Sequence, residues 1–369
     1  MQYEKVLDRI LPIVKPLLRE HIADMERRLE PGFTTLTWTS MNIDGFLHAM
    51  YSGVSALEDL IGKVKDLVDN RIERNLRKVA NIALVELPSD ESYTVETFVK
   101  VQEKLVRSQQ SVVAAKNEEV EEAVVDLIEL ISQYPLKDGR MAGVKPSEEA
   151  KLRGHYSNMF YRALLLATKS ALKTYKKRIG SRASGGFLFV DRPIFDVNVE
   201  LNIPQYTMSP PLEDVQAAIN RSCRAILAIA KACPVWATAA DKAMQRTVFD
   251  LLSADPEVIV MVLLLTGSME GLKRQVLEYL TTFKQYDWLW HGNKEAEFGA
   301  FMKAGPTLTD FEGKLKMYVE IEREISKISP VNNIGALSLE TAPLKYSLRS
   351  EAHAWKALFG NKVRALSPP

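Results

Sequence analysis

Several features that define common protein classes are scarce in this chain of 369 residues. It has two cysteines, Cys223 and Cys233, whose ten-residue separation on one candidate helix corresponds to about 15 Å, beyond disulfide reach. We interpret both as small core residues of a protein in a reducing compartment. The longest apolar run, Val258–Leu265, has eight residues, whereas a membrane-spanning helix needs about 20.

The charge is balanced, which excludes further classes. Lys and Arg together number 48 and Asp and Glu 47, so the basic excess that nucleic-acid binding requires is missing, as is any sign of a surface for anionic membranes. The segment Met1–Leu18 carries charges throughout and has no small-residue cleavage site, so we expect no signal peptide. Composition thus predicts a soluble cytosolic protein with neither nucleic acid nor a membrane as a partner.

The sequence also lacks the common motifs for catalysis. It has no phosphate-binding Gly-x-x-x-x-Gly-Lys-Ser/Thr loop, no Gly-x-Ser-x-Gly elbow, no His-Glu-x-x-His helix and no Cys-x-x-Cys pair. Gly180–Gly186 and Gly267–Lys273 come nearest to a phosphate loop but lack its end. The histidines are scattered singly, without partners at metal-ligand spacing: His21, His48, His155, His291 and His353. We therefore assign no catalytic, cofactor-binding or metal-binding residue and expect neither enzyme activity nor a cofactor.

What the sequence does contain is two long stripes in which apolar residues recur every three or four positions, as on one face of a helix. The first comprises Met50, Val54, Leu57, Ile61, Val64, Val68, Ile72, Leu76, Val79 and Ala83. The second comprises Val95, Phe98, Val101, Leu105, Val112, Val120, Val124, Leu127, Ile131 and Tyr134. Each predicted helix spans about 40 residues, or roughly 60 Å, whereas a compact globule of this length would be about 55 Å across. We therefore predict an all-α fold, an elongated stack of long antiparallel helical bundles.

Turn signals and β-branched residues divide the rest of the chain. Glu30-Pro31-Gly32 is expected to end an N-terminal helix at residues 3–29, and Phe33–Ser40 could be a short strand or an extended corner. Phe187–Val190 and Asp196–Leu201 predict one small β-hairpin, followed by an extended connector at Tyr206–Pro211. Further helices are expected at residues 148–179 and at Leu212–Ala232, Pro234–Ala254, Pro256–Phe283, Lys294–Lys303, Thr307–Ile328 and Leu348–Leu358.

This pattern predicts four segments. A long-helix bundle is expected at residues 1–135, followed by a helix with a small β-hairpin connector at 136–211. A second helical bundle is expected at 212–328, and an extended and helical C-terminal segment at 329–369.

Several side-chain clusters have alternative interpretations. The acidic stretch Glu118–Glu122 is a solvated helix face or a divalent-ion site. If the two long helices pack antiparallel, it could pair with the basic group Arg71, Arg74, Arg77 and Lys78. The aromatic group Tyr286–Trp290 is a packing anchor or a ligand platform. The burial of Val258–Leu265 is left open, and an exposed apolar patch there would mark a contact with another bundle or a partner.

Three segments resemble the tails of axonemal dynein heavy chains, and the likeness is co-linear over nearly the whole chain. Leu29–Leu47 contains PGFTTLTWTS, similar to the family pattern PG-x-TTLTW-x-S. Pro193–Leu227 resembles a later part of these tails, where a short sheet leads into the pattern P-x-L-x-x-(I/V)-Q-x-x-(I/L)-N. Ile334–Lys356, which reads IGALSLETAPLKYSLRSEAHAWK, resembles the end of the same region, as do Tyr286–Trp290 and Phe311–Ile325. The TTLTW form is most similar to outer-arm heavy chains.

The resemblance implies a tail piece that precedes the linker and contains neither the AAA motor ring nor the microtubule-binding stalk. It implies a role in microtubule-based ciliary movement, through assembly and force transmission to the axonemal doublet. The partners it implies are dynein intermediate and light chains, neighbouring heavy-chain tails and docking factors, in the cytoplasm and the cytoskeleton of the cilium or flagellum. The alternatives are a free-standing, spectrin-like helical scaffold and a helical enzyme with an unfamiliar site.

Overall fold

The computed structural model of the chain describes residues 2–88, 90–136, 138–180 and 192–366, and these are mostly helical. The chain divides into two compact units, each assembled from three separate stretches. The first unit contains Met1–Leu84, Leu105–Ala171 and Ala225–Ile259. The second unit contains Val85–Lys104, Leu172–Arg224 and Val260–Pro369. The division into four consecutive segments remains a prediction.

The helices are numbered in chain order. They are α1 (Gln2–Leu7), α2 (Arg19–Thr34), α3 (Ile43–Leu67), α4 (Arg74–Ala80), α5 (Val95–Gln133), α6 (Pro146–Gly180), α7 (Leu212–Ala228), α8 (Ala239–Ala243), α9 (Val248–Ser253), α10 (Pro256–Thr281), α11 (Trp288–His291), α12 (Lys294–Lys303), α13 (Leu308–Ser326) and α14 (Ala342–Leu366). A π-helical segment, Val68–Glu73, joins α3 to α4, and 3₁₀ turns follow α7 and α10 at Ile229–Ala232 and Thr282–Tyr286. The expectation of a mainly helical fold with long helices is confirmed.

The first predicted stripe forms the buried face of α3, the π segment and α4. Its members from Val54 to Val79 are buried in the first unit. Between Val64 and Leu76 the stripe advances by three successive four-residue steps, each of which would rotate the buried row by about 40° around a regular α-helix. The wider turns of the π segment take up this rotation and keep Val68 and Ile72 on the buried face.

The second stripe forms α5, but its buried row differs from the apolar pattern in the middle of the helix. Val101 and Val112 are exposed, whereas Gln102 and Asn117 are buried. Both amides are hydrogen-bonded, and these bonds offset the cost of removing them from water. Asn117 accepts a bond from Trp236 Nε1 at 3.1 Å and donates one to the Pro234 carbonyl at 3.1 Å. An assignment based on apolar residues alone misses such positions.

Within the first unit, α5 runs antiparallel to the α3–α4 helix, as the sequence analysis supposed. In the pairs that join them, residue numbers increase along α3–α4 while they decrease along α5. Tyr134 donates a hydrogen bond to the Ala56 carbonyl at 3.0 Å, Arg71 pairs with Asp126, and Asn75 donates to Glu119 at 2.9 Å.

The prolines near the N-terminus interrupt helices at other positions than the sequence predicted. The expected helix at residues 3–29 is interrupted, because turns at residues 8–18, which contain Pro12 and Pro16, separate α1 from α2. In contrast, α2 continues through Pro31-Gly32, which was expected to end it. Gly32 lies against Phe46, whose Cζ would be only 2.5 Å from a Cβ at that position. Tertiary packing thus stabilises a helical turn that the local sequence disfavours.

Two other local predictions in the first unit are corrected. Phe33–Ser40 contains no strand: α2 ends at Thr34, and the following residues form turns up to α3. The helix expected at Pro234–Ala254 is replaced by two short helices, α8 and α9, and an isolated antiparallel bridge between Pro234 and Thr247. Thr238 and Thr247 each form a capping box with the aspartate three residues later, so each starts a new helix.

The second unit contains a four-stranded mixed sheet in the order β2-β1-β4-β3. The strands are β1 (Phe195–Asn202), β2 (Gln205–Ser209), β3 (Val331–Ile334) and β4 (Leu337–Glu340). The hairpin is β1–β2, so the supposed connector at Tyr206–Pro211 is largely its second strand, while the other proposed strand, Phe187–Val190, lies outside the described residues. A parallel pairing of β1 with β4 joins this hairpin to a second one.

Aromatic side chains build much of the core of the second unit. Phe98 packs edge-on against Tyr175 and Phe195, and the Tyr175 hydroxyl lies 2.6 Å from Ser222 Oγ. Near the C-terminus, α13 packs along α14, where Trp355 stacks on Tyr318 with ring centroids 5.9 Å apart. The helix predicted at Leu348–Leu358 is longer, because α14 begins directly after β4.

Candidate interaction surfaces

The groups that carry chemistry in other proteins are here buried or dispersed. Within the described ranges no three His, Cys, Asp or Glu side chains come close enough to hold a metal ion. Burial raises the pKa of Cys223 to about 12, and burial followed by the charge of Glu118 does the same for Cys233. Both thiols therefore stay protonated, which agrees with their interpretation as core residues.

The acidic stretch Glu118–Glu122 is divided among separate partners. Glu119 accepts hydrogen bonds from Lys116 and Asn75, and Glu121 pairs with Lys242. The bond from Lys116 is the main cause of the lowered pKa of Glu119, and the charge of Lys78 contributes less. This arrangement supports a solvated face over an ion site.

Of the supposed pairing between this acidic stretch and the basic group, the described residues show only a minor effect of the charge of Lys78 on Glu119. Arg71 pairs instead with Asp126 further along α5, and Arg77 pairs with Glu73 on its own helix.

The aromatic group at Tyr286–Trp290 lies in the packed part of the second unit. Trp288 packs on Trp355, whose Nε1 donates a hydrogen bond of 2.8 Å to the Leu289 carbonyl. Trp290 lies edge-on to Tyr206, whose hydroxyl donates to Asp287 at 2.8 Å. These contacts support the interpretation of this group as an anchor.

Neither candidate phosphate loop forms a described loop. Gly267–Lys273 lies inside α10, where the helix uses its backbone N–H groups. Of Gly180–Gly186, only Gly180 lies within the described residues, at the end of α6.

The start of α10 carries an exposed apolar face. Val258 and Leu265 are buried, but Val260, Leu263 and Leu264 are 52%, 64% and 47% exposed. Their spacing places all three on one side of the helix. Gly267 and Gly271 extend this side, with no atom within 4 Å of the position of an added Cβ. Val258–Leu265 is therefore buried on one side of α10 and exposes large aliphatic side chains on the other.

A second exposed apolar segment follows α2 in the first unit. Phe33, Trp38 and Met41 are 85%, 88% and 102% exposed. All three belong to Leu29–Leu47, one of the segments on which the resemblance to dynein tails rests. Packing within the described residues therefore does not explain these large side chains. They belong to the surface that is available to a partner.

Comparisons with known proteins agree with the resemblance. The family model for the dynein heavy chain, N-terminal region 1, matches residues 1–46. Over 98% of its length the chain is 45% identical to the dynein gamma chain of the flagellar outer arm of Chlamydomonas reinhardtii, of which it covers 8%. Over 97% of its length it is 25% identical to dynein axonemal heavy chain 5 of Mus musculus, of which it covers 10%.

The similarity extends beyond the outer arm. Over 99% of its length the chain is 24% identical to the dynein-1-alpha heavy chain of the flagellar inner arm I1 complex of Chlamydomonas reinhardtii, of which it covers 8%.

With 45% identity to one of these proteins over 98% of its own length, the chain belongs to the dynein heavy chains. Within that family it corresponds to part of the N-terminal region of an axonemal heavy chain. It spans between 8% and 13% of the length of the relatives it matches. Among the described residues, no helix combines the length and the apolar character that crossing a bilayer requires.

Proposed function

We propose that this chain is a non-catalytic tail segment that assembles with other dynein subunits and carries force toward the axonemal doublet. The partner classes are intermediate and light chains, neighbouring heavy-chain tails and docking factors. The site of action is the cytoskeleton of the cilium or flagellum. The proposal combines family membership with the surfaces that the segment exposes.

The apolar side of α10 is the observation that carries the assembly role. Val260, Leu263 and Leu264 are exposed on the side opposite the buried Val258 and Leu265. Leaving three large aliphatic side chains in water has a cost that a partner surface removes, at about 25 cal/mol per Å² of apolar area. A tail that assembles with other chains accounts for this surface directly.

Long uninterrupted helices support the force-transmitting role. The helices α5 and α6 have 39 and 35 residues, which corresponds to roughly 50–60 Å each. From the sequence we expect compliance in turns at Leu87–Ser92 and Pro135–Ala150, although the structure places residues 146–150 in α6. Pro31-Gly32, which was expected to end a helix, lies inside α2 and provides no such turn.

The test is recovery of dynein subunits by the 369-residue chain from an axonemal extract, identified by mass spectrometry. We expect the unaltered chain to recover subunits of a dynein arm, and the double variant Leu263→Ser/Leu264→Ser to recover fewer. The matched control is Leu166→Ser/Leu308→Ser, which changes two other exposed leucines.

Recovery of no dynein subunit would contradict the assembly role. If both double variants recovered equally fewer subunits, the exposed side of α10 would have no specific role in assembly. A free-standing spectrin-like scaffold gains no support, because it does not account for 45% identity to a heavy chain over 98% of the chain.

A further inference from the structure

A groove in the first unit lies between α1 and the outer side of α2. It has a volume of about 630 Å³, and its apolar lining comes from Ala23, Leu29, Phe33 and the ring of Tyr3. Phe33 projects at one end and is 85% exposed. A small ligand buries most of its surface in an enclosing pocket. A groove along two helices with a projecting aromatic ring fits a polypeptide segment better.

The rim of this groove is acidic. The lining contains Glu4, Glu26, Glu30 and Arg27, and the carboxylates that we assign to a partner are those of Glu26 and Glu30. Arg27 is already engaged, since it lies 3.5 Å from Asp24 Oδ1. The rim therefore favours a partner with positive charge, because complementary potentials raise association rates and select partners.

One polar atom beneath the groove surface, the buried Tyr3 hydroxyl, has no hydrogen-bond partner among the described residues. Burial, and then the charge of Glu26, raise the pKa of Tyr3 to about 12, so the hydroxyl remains a donor at neutral pH. Because this oxygen has almost no exposed surface, the part of Tyr3 that a bound segment can contact is its ring.

We propose that this groove binds an amphipathic helical segment of a partner polypeptide. Its apolar stripe packs on Leu29 and Phe33, and its Lys or Arg side chains face Glu26 and Glu30. On α2 the groove-facing residues Ala23, Glu26, Glu30 and Phe33 follow helical spacing, which suits the packing of a second helix alongside. This inference deepens the proposed assembly role and rests on it, since it names the chemistry of one partner surface.

The test uses the purified 369-residue chain and two labelled synthetic peptides of about 18 residues, long enough to form a helix. Both carry the same stripe of leucines. In one the flanking residues are lysines, and in the other they are glutamates. Fluorescence anisotropy should show binding of the lysine peptide and at least roughly tenfold weaker binding of the glutamate peptide. Raising the ionic strength from about 0.05 M to about 0.5 M should weaken the binding, because it shortens the screening length.

Two variants locate the binding in the groove. Phe33→Ala and Glu26→Lys/Glu30→Lys should each weaken binding of the lysine peptide by roughly five- to tenfold. The matched controls are Tyr346→Ala, which removes another exposed aromatic ring, and Glu122→Lys/Glu312→Lys, which makes the same change in net charge elsewhere. Circular dichroism should show that all four variants are folded, because every altered side chain is exposed.

The proposal is overturned if the lysine peptide does not bind, if both peptides bind equally, or if the controls lose as much affinity as the groove variants. Sedimentation velocity that shows a dimer dissolved by Phe33→Ala would assign the groove to a second copy and would also overturn it. The extract experiment separates the two proposals. If the chain recovers dynein subunits but binds neither peptide, the groove proposal fails and the assembly role stands.

Discussion

The two most specific dynein-like segments of this chain have opposite environments. In Ile334–Lys356, the side chains of Leu344, Leu348 and Trp355 are buried in the second unit. In Leu29–Leu47, Phe33, Trp38 and Met41 are almost fully exposed in the first unit. The first pattern is explained by packing and the second is not. Buried side chains of Ile334–Lys356 thus maintain the fold, whereas Phe33, Trp38 and Met41 form part of the surface.

The buried segment has identifiable structural roles at several positions. Gly335 adopts a positive φ of 54° in the turn between β3 and β4. The Thr341 hydroxyl donates a hydrogen bond of 2.5 Å to the Ser329 carbonyl, at the start of α14. Trp355 of α14 stacks on Tyr318 of α13 and donates a hydrogen bond to the Leu289 carbonyl. Changes at these buried positions should therefore affect stability, whereas changes at Phe33, Trp38 and Met41 should affect binding.

The largest effect is expected for Trp355→Ala. The substitution removes a buried indole, its stacking on Tyr318 and the hydrogen bond to Leu289, and should cost about 3–5 kcal/mol. Faster hydrogen exchange in α13 and α14 would report this loss. Tyr346→Ala, on the exposed side of the same helix, is the control and should change stability by no more than about 0.5 kcal/mol.

Gly335→Ala should have the next largest effect. A Cβ there would lie 2.7 Å from the Ile179 carbonyl oxygen and 2.8 Å from Leu272 Cδ1, in a conformation that L-residues rarely adopt. We expect a loss of about 1–3 kcal/mol, measured as a lower urea midpoint. Gly313→Ala is the control, because its added methyl group meets no atom within 4 Å and alanine favours a helix. If the two substitutions were equivalent, the turn would not require glycine.

A smaller, pH-dependent effect is expected at Glu322, which joins α13 to α14. Burial works to raise the pKa of Glu322, but hydrogen bonds from Lys356 at 2.7 Å and His353 at 3.2 Å outweigh it and lower the pKa. A lowered pKa adds stability above the unfolded value of about 4.3, and this stability is lost as the pH falls through the folded value. The difference in melting temperature between the unaltered chain and Glu322→Gln should therefore be largest near neutral pH. A constant difference down to about pH 3 would contradict this assignment.

The smallest effect on stability is expected in the exposed segment. Trp38→Ala should change the free energy of unfolding by no more than about 0.5 kcal/mol, because the indole is 88% exposed. Chemical denaturation of the two proteins would check this. A loss above 2 kcal/mol would show that Trp38 packs in solution and would remove the contrast with Trp355.

The features that the sequence predicted well depend on local periodicity. The buried rows of α3, α4 and α5 follow from residues spaced three or four apart, because a helix is formed by neighbours in the chain. The sheet is different, since β1 pairs with β4 about 140 residues later and no local pattern specifies that partner. Gln102 and Asn117 were missed because burial of an amide depends on distant hydrogen-bond partners.

The interaction surfaces were predictable to different extents. The apolar run at the start of α10 is visible in the sequence, although its exposure is not. The groove could not be predicted, because it combines α2 with a short α1 that lies beyond the turns around Pro12 and Pro16. The only sequence feature that pointed to this surface was the presence of the aromatic residues Phe33 and Trp38 in Leu29–Leu47.

The π segment at Val68–Glu73 bears on how this helix tolerates changes in length. A wide turn accommodates one more residue than a regular turn while leaving the flanking helices aligned. Loss of one of its exposed residues, such as Asn70, would return the turn to ordinary α-helical geometry and leave both neighbouring apolar faces directed at the core. A single-residue deletion usually disrupts a packed helix, because it shifts the buried residues that follow. In this π segment, deletion of an exposed residue should preserve their register.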